Sequence, residues 1–198
     1  MMTKYLKYVL VILASFIVKS AVCQEKQKKW YIPDHYKAQY AGNIGFVSFG
    51  AGYLHGKDKL ETDFFTGYVP EAIGGDRIMT LTLKSTYTPW KNPINESLTL
   101  RPFSVGLYLN YSFGSQFDTI SPNEYPEGYY WWATSLRVGG FIGGTLALNR
   151  KEDYEIKRVS LYYELGTYDL IFLSYLQNTD YLKIWDVTSL ALGVKFEF

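Results

Sequence analysis

The chain contains few of the residues that form disulfides, bind metals or act as catalytic bases. Its 198 residues include one cysteine, Cys23, and two histidines, His35 and His55. A zinc site needs several Cys or His ligands, and an acyl hydrolase needs a histidine beside its nucleophile. His55 falls in a predicted turn, and His35 lies in a segment, 33–37, that we expect to cover one opening of the fold. We therefore predict no metal site, no cofactor and no catalytic residue.

The sequence also lacks an excess of either charge. It has 20 basic and 19 acidic residues, so nucleic acid is not an expected partner. The apolar run at 8–18 is shorter than the roughly 20 residues that a membrane-spanning helix needs. Lys4 and Lys7 precede this run, and Ala21 and Cys23 follow it. This order of basic, apolar and small residues predicts the signal peptide of an exported protein.

We place signal-peptide cleavage before Gln24. Residues 1–23 are then the signal peptide, 24–37 an N-terminal periplasmic segment and 38–198 the folded domain. Lipid attachment at Cys23 is the less favoured alternative, because Val22 departs from the small residues that such a site prefers. Cleavage would remove the cysteine and three lysines, which leaves 17 basic against 19 acidic residues and a formal charge of −2. The mature chain would fold without disulfides.

The end of the chain alternates between apolar and polar residues. Alternation over residues 189–198 places successive side chains on opposite faces of a strand. One face is continuously apolar and ends on an aromatic residue; it consists of Leu190, Leu192, Val194, Phe196 and Phe198. The chain is therefore predicted to end as a strand.

Alternation and turn signals continue through the rest of the chain, which is 18% aromatic and contains 17 glycines. Predicted strands cover 39–54, 59–69, 77–88 and 98–113. Residues 129–148 form one long strand or a hairpin that turns at Gly139-Gly140. Residues 159–177 form two strands that meet at Gly166-Thr167, or one strand followed by a short helix from Tyr168. Either interpretation gives eight strands, and we predict an all-β, antiparallel up-and-down barrel.

Charged residues on the predicted strands fall opposite the apolar face. A charge that faces lipid at mid-depth costs about 2–4 kcal/mol, whereas charges inside a narrow barrel can pair. A soluble barrel would place them on its solvated outer face instead. The terminal strand and the signal peptide favour the lipid-facing arrangement. It predicts a structural cluster of interior charges formed by Glu61, Asp63, Lys84, Arg137, Glu164, Lys195 and Glu197.

In its signal peptide, its strand parity and its terminal strand from Leu190 to Phe198, the chain resembles small outer-membrane β-barrel proteins of Gram-negative bacteria. These are the OmpX-like and OmpA-like eight-stranded type, and outer-membrane barrels of the Bacteroidota. The resemblance covers most of residues 38–198 and implies a transmembrane barrel in the cell outer membrane, with the last strand as the signal for the barrel assembly machinery. It further implies a monomer, in contact with outer-membrane lipids and lipopolysaccharide, with a structural, binding or envelope-integrity role.

Two other functions stay open on the sequence alone. A lipid A-modifying enzyme, an acyl hydrolase or acyltransferase, could hold an acyl chain over the small inward residues Gly106, Ser135, Gly139 and Gly193. Glycines in strands more commonly relieve crowding, however, and permit curvature. A soluble periplasmic barrel that carries an apolar ligand is the second alternative.

Trp131 and Trp132 follow two tyrosines and form the densest aromatic cluster of the chain. Tyr and Trp gather where a barrel strand enters the bilayer, which predicts an interfacial position. Their flat rings would equally suit stacking against a carbohydrate ligand, which is the functional alternative.

Overall fold

A computed structural model describes residues 31–114, 135–150 and 155–198. The predicted signal peptide, Cys23, Trp131 and Trp132 lie outside these ranges. Within them the chain forms nine strands, two α-helices and one 3₁₀ helix. The strands are β1 (His35–Ala41), β2 (Val47–His55), β3 (Leu60–Val69), β4 (Ile78–Tyr87), β5 (Asn92–Pro93), β6 (Leu98–Phe113), β7 (Leu136–Asn149), β8 (Arg158–Tyr168) and β9 (Ser189–Glu197).

The helices are short. One spans Glu71–Gly74, a second spans Asp169–Gln177, and the 3₁₀ helix spans Ile184–Val187. Among the described residues, no helix has the length and apolar character needed to cross a membrane.

Eight of the strands close into a barrel. Each long strand pairs antiparallel with its neighbour in the chain, and the last strand, β9, returns to pair with β1 from His35↔Glu197 to Ala41↔Ala191. The pairing of β4 with β6 completes the ring, while the two-residue β5 only extends β6. A closed sheet leaves no unpaired edge. The structure confirms the predicted all-β, antiparallel barrel of eight strands.

The first predicted strand is two strands in the structure. Residues 39–54 span the end of β1, a connection at 42–46 and most of β2. Gly42 and Gly45 have positive φ angles of 82° and 150°, and Ala41 has one of 59°, so the backbone reverses here. The sequence prediction missed this turn because it treated both glycines as strand residues.

The barrel also begins earlier than predicted. The proposed N-terminal segment 24–37 includes His35, Tyr36 and Lys37, which are the first residues of β1 rather than a cover over an opening. The alternation of inward polar and outward aromatic residues already starts at His35. This short stretch resembled a loop because Pro33 and Asp34 directly precede it.

In the second half of the chain, the sequence left two alternatives open for each of two segments, and the structure shows one of each. β7 runs without a turn through Gly139 and Gly140, neither of which adopts a positive φ. The strand β8 ends at Tyr168 and a helix follows directly, so residues 159–177 are one strand and a helix.

The two ends of the barrel differ in the length of their connections. The end that carries His35 and Glu197 has the connections 56–59, 88–97 and 150–157; we call it the termini end. The opposite end has the connections 42–46, 70–77, 114–135 and 169–188; we call it the loop end. The two longest connections of the barrel are both at the loop end.

Candidate functional site: a charged interior inside an apolar wall

Polar and apolar side chains lie on opposite faces of the barrel wall. Alternate residues of a strand point to opposite faces, so one set fills the interior and the other covers the outside. The interior set is polar and buried, and includes His35, Lys37, Gln39, Glu61, Asp63, Thr82, Lys84, Arg101, Asn110, Glu164, Lys195 and Glu197. The outer set is apolar and exposed, and includes Phe49, Phe64, Leu83, Leu107, Leu109, Ile142, Leu146, Leu161, Leu190 and Leu192.

Aromatic residues of the outer face concentrate towards the two ends of the barrel. The direction of each strand shows at which end an exposed ring lies. Those near the termini end are Tyr36, Tyr53, Tyr87, Trp90 and Phe198. Those near the loop end are Tyr40, Tyr68 and Phe113. Several of these rings contact a second aromatic ring edge-on, as Phe198 does with Tyr36 at 5.6 Å between centroids. The outer wall therefore has aromatic residues at both margins, and Phe64 and Tyr163 add two rings nearer its middle.

Glu61 is the centre of the interior network. Its carboxylate accepts hydrogen bonds from Lys37 Nζ at 2.7 Å, Lys195 Nζ at 2.6 Å and Arg101 Nη1 at 3.3 Å. All four residues are buried. One carboxylate thus bridges cations from three strands, β1, β6 and β9.

Two further carboxylates extend the network. Asp63 accepts a hydrogen bond from Lys37 Nζ at 2.6 Å and lies 2.5 Å from His35 Nε2. Glu197 lies 2.7 Å from Lys195 Nζ and accepts a hydrogen bond from Arg158 Nη1 at 2.6 Å. The network therefore reaches the termini end, where the half-buried Arg158 connects it to the surface.

Lys84 forms a second centre, halfway along the barrel. Its Nζ donates to both carboxylate oxygens of Glu164 at 2.7 Å and to Gln39 Oε1 at 3.1 Å. The same ammonium lies 4.8 Å from the ring centre of Phe65 and 4.9 Å from that of Phe141. Cation–π attraction of this kind adds to the ion pair when the charge is away from water.

The fully buried ionic groups balance in charge. Lys37, Lys84, Arg101 and Lys195 face Glu61, Asp63, Glu164 and Glu197. Burying an unpaired charge is costly, and removal of one partner of a buried pair typically destabilises a protein by about 3–5 kcal/mol. Each of these buried charges therefore has an oppositely charged partner.

Four aromatic rings fill part of the interior, and each lies against a glycine on the neighbouring strand. The register pairs Phe65 with Gly50, Phe141 with Gly106, Tyr108 with Gly139, and Tyr162 with Gly193. A Cβ atom on any of these glycines would overlap the facing ring. Glycine therefore makes room for the ring across the strand pair, and the space above Gly106, Gly139 and Gly193 is filled rather than open.

Ile44 joins this aromatic layer from the connection 42–46. It packs with Phe65, Tyr108 and Phe141, and the ring of Tyr168 lies against them. Two small interior cavities, of about 10 and 20 Å³, lie beside charged groups: Lys37, Glu61 and Glu164 line the first, and Lys84 and Glu164 line the second. Each is about the size of a single water molecule. The described interior is a packed core of charges and rings.

The structure brings together most of the predicted interior charges. Glu61, Asp63, Lys84, Glu164, Lys195 and Glu197 are all buried inside the barrel and take part in the contacts given above. Arg137 is half-buried near the loop end, where its Nη1 donates to the carbonyl of Leu136 at 3.1 Å. In the terminal strand, Leu190 and Leu192 are exposed on the outer wall, as is Phe198 just after it.

Sequence reasoning missed four members of the network: His35, Lys37, Arg101 and Arg158. The first two were placed before the barrel, although their alternation with Tyr36 and Ala38 was a usable signal. Arg101 lies just before a break in register between Arg101 and Ser104, so strict alternation along β6 does not predict its direction.

His35, Glu61 and Asp63 bring ligand-type atoms within 4.8 Å of one another. The ammonium of Lys37 already lies 2.7 Å from Glu61 and 2.6 Å from Asp63. It supplies the positive charge that two adjacent buried carboxylates need. A metal ion between them would have to displace this lysine, so the geometry favours an ion-pair cluster over a metal centre.

Comparison of the chain with protein-family models, with curated proteins and with solved structures found no match. The function of this barrel is therefore inferred from its own geometry.

Proposed function

We propose that this protein is an integral outer-membrane β-barrel with a structural, binding or envelope-integrity role. The observation that carries the proposal is the distribution of side chains: charges and polar groups inside, and a continuous apolar surface outside. Soluble proteins rarely expose contiguous apolar patches larger than a few hundred Å², and an apolar wall around a whole barrel suits a hydrocarbon environment.

Closure of the sheet supports the same proposal. Within a bilayer every backbone N–H and C=O must find a partner in the protein, so helices and closed barrels are the structures that span it. Here β4 pairs with β6 and β1 with β9, which leaves no open edge among the eight long strands described. The aromatic residues at both margins of the wall match the interfacial girdles expected of a membrane barrel.

The lengths of the connections support one orientation. Bacterial outer-membrane barrels have short turns on the periplasmic side and longer loops on the outer side. We therefore assign the termini end to the periplasm and the loop end to the cell surface. The predicted signal peptide and the terminal strand 190–198 are consistent with export and with recognition by the barrel assembly machinery.

The packed interior supports a role that does not depend on a diffusion pore. An eight-stranded barrel encloses just enough room for its own side chains, and here ion pairs and four aromatic rings occupy that room. We propose a monomeric barrel whose partners are outer-membrane lipids and lipopolysaccharide.

No described feature favours the two alternatives. For an acyl hydrolase, His35 is fully buried against Asp63, and its Nδ1 has no hydrogen-bond partner among the described residues. A carrier would need an apolar space inside, whereas the small interior cavities lie among Lys37, Glu61, Lys84 and Glu164.

The proposal is tested by expressing the full chain in a Gram-negative host and separating soluble, inner-membrane and outer-membrane fractions. Unboiled and boiled samples of each are compared on a detergent gel. We expect the protein in the outer-membrane fraction, with a shift in mobility on boiling because a closed barrel resists detergent. Recovery in the soluble fraction with no shift would overturn the proposal.

A further inference from the structure

The helix Asp169–Gln177 at the loop end is mostly apolar, yet none of its residues is fully buried. Leu170, Phe172 and Leu176 are exposed, and so is Trp185 in the 3₁₀ helix that follows. Short helices gain most of their stability from packing an apolar face, and a helix without a polar face is normally buried on every side. The described residues therefore leave much of the apolar surface of this helix uncovered.

A groove runs between this helix and the outer wall of the barrel. Its volume is about 480 Å³, and its walls are mainly apolar: Phe172 and Leu173 of the helix lie on one side, and Leu107, Val138 and Gly140 of the wall on the other. Thr167, Tyr168 and Asp169 line the end where β8 passes into the helix. Leu107 and Val138 belong to the outer apolar face and are exposed. The groove thus opens onto the wall surface and is separate from the barrel interior.

Gly140 forms the floor of the groove. A Cβ atom added here would meet only Leu107 Cδ2 at 3.4 Å and a backbone carbonyl at 3.6 Å, which are ordinary contacts. Gly139, one residue away, faces inward and lies against Tyr108. The absence of a side chain at 140 is therefore not needed for packing within the barrel, and it leaves open space on the wall.

We infer that this groove holds one acyl chain of a membrane lipid, in the leaflet at the loop end. The inference rests on the proposed function, because it requires the outer wall to lie in a bilayer. The groove continues the apolar surface that the proposal places in lipid. A long hydrocarbon chain is the ligand that matches an open groove with apolar walls on both sides.

The helix distinguishes this position from the rest of the wall. Lipids along a plain wall touch the protein on one side only, whereas a chain in the groove contacts Phe172 and Leu173 on one side and Leu107 and Val138 on the other. Contact on two sides buries more apolar area of the ligand, and the stabilisation grows with that area. We expect this lipid to exchange more slowly than its neighbours.

The test places a large side chain at position 140, so that it occupies the groove. Gly140→Phe places a ring in the groove, and the matched control Ile142→Phe places the same ring two residues along β7, on the same exposed face but outside the groove. Wild type and both variants are reconstituted into dioleoylphosphatidylcholine vesicles and extracted in mild detergent. Native mass spectrometry then counts the phosphatidylcholine molecules retained per barrel, after the heat-dependent gel shift has shown that each variant is folded.

We expect wild type and Ile142→Phe to retain one phosphatidylcholine more than Gly140→Phe. Equal retention by all three folded proteins would overturn the groove assignment and leave the membrane proposal intact. Retention of detergent in place of phosphatidylcholine would also overturn it. If wild type fails to enter vesicles and shows no gel shift, the proposed function itself fails, and the inference fails with it.

Discussion

Tyr108 of β6 lies directly across from Gly139 of β7, with its ring in the space that a side chain at 139 would occupy. The Tyr108 hydroxyl donates a hydrogen bond to the carbonyl of Thr167 at 3.2 Å, which fixes the ring over the glycine. The same relationship recurs for Phe65, Phe141 and Tyr162. Ring-over-glycine pairs are thus a repeated means by which this narrow barrel accommodates large side chains.

This relationship predicts a sharp difference between two adjacent glycines. Gly139→Ala should destabilise the barrel by about 1–3 kcal/mol, because the added methyl group overpacks the site against Tyr108. Gly140→Ala should change stability by no more than about 0.5 kcal/mol, since its methyl group makes only ordinary contacts on the outer wall. Urea titration of the barrel in lipid vesicles, followed by gel mobility, measures both. Equal destabilisation by the two substitutions would contradict the packing described here.

Loss of the charge on Glu61, the central carboxylate of the network, should lower the free energy of unfolding far more than loss of the charge on a surface carboxylate. Glu61→Gln removes the negative charge shared by Lys37, Lys195 and Arg101, and we expect a loss of about 3–5 kcal/mol in unfolding free energy. Glu71→Gln is the control, because Glu71 is exposed and its contact is with Arg77, also exposed, at 3.5 Å. That change should cost about 0–1 kcal/mol. Similar losses in the same urea titration would show that the interior is solvated.

Lys84 and Glu164 should behave as a coupled pair. Lys84→Met leaves Glu164 buried without its cation and should destabilise by about 3–5 kcal/mol. Adding Glu164→Gln removes the buried negative charge that Lys84→Met leaves unpaired, so the double variant should be more stable than Lys84→Met alone. A double-mutant cycle measures the coupling. Purely additive effects would indicate that the 2.7 Å contact contributes little.

Most of this architecture follows from the sequence, and the exceptions have physical causes. Strict alternation, as in the residues around Lys84 on β4 and Lys195 on β9, predicts which face is inside. Alternation fails where the backbone departs from an extended strand: the turn at Gly42 and Gly45 was taken for strand, because glycine permits both conformations.

Contacts across the barrel could not be predicted from the sequence. Glu61 meets Lys195, which is 134 residues away, only because β1 pairs with both β2 and β9 and so brings β3 and β9 onto one side of the interior. The pattern of apolar and polar residues along one strand does not indicate which other strand it pairs with. The same holds for the ring-over-glycine pairs, since they depend on the register of β6 with β7.

The cost of a charge on the outer wall should depend on its depth. Leu83→Arg places a cation in the middle of β4 and should destabilise the barrel in vesicles by about 2–4 kcal/mol. Leu60→Arg, at the start of β3 near the termini end, should cost about 0–1 kcal/mol. Unfolding titrations in phosphatidylcholine vesicles compare the two. Two equally mild effects would contradict a bilayer around the middle of the wall.

The central claim is that the apolar wall requires a bilayer, and refolding tests it most directly. The chain from residue 24 onward, unfolded in urea, is diluted into plain buffer and, in parallel, into phosphatidylcholine vesicles, and folding is followed by circular dichroism and unboiled gel mobility. We predict a heat-sensitive compact barrel only with vesicles, and aggregation in buffer. A dispersed, fully folded barrel in plain buffer would contradict the account.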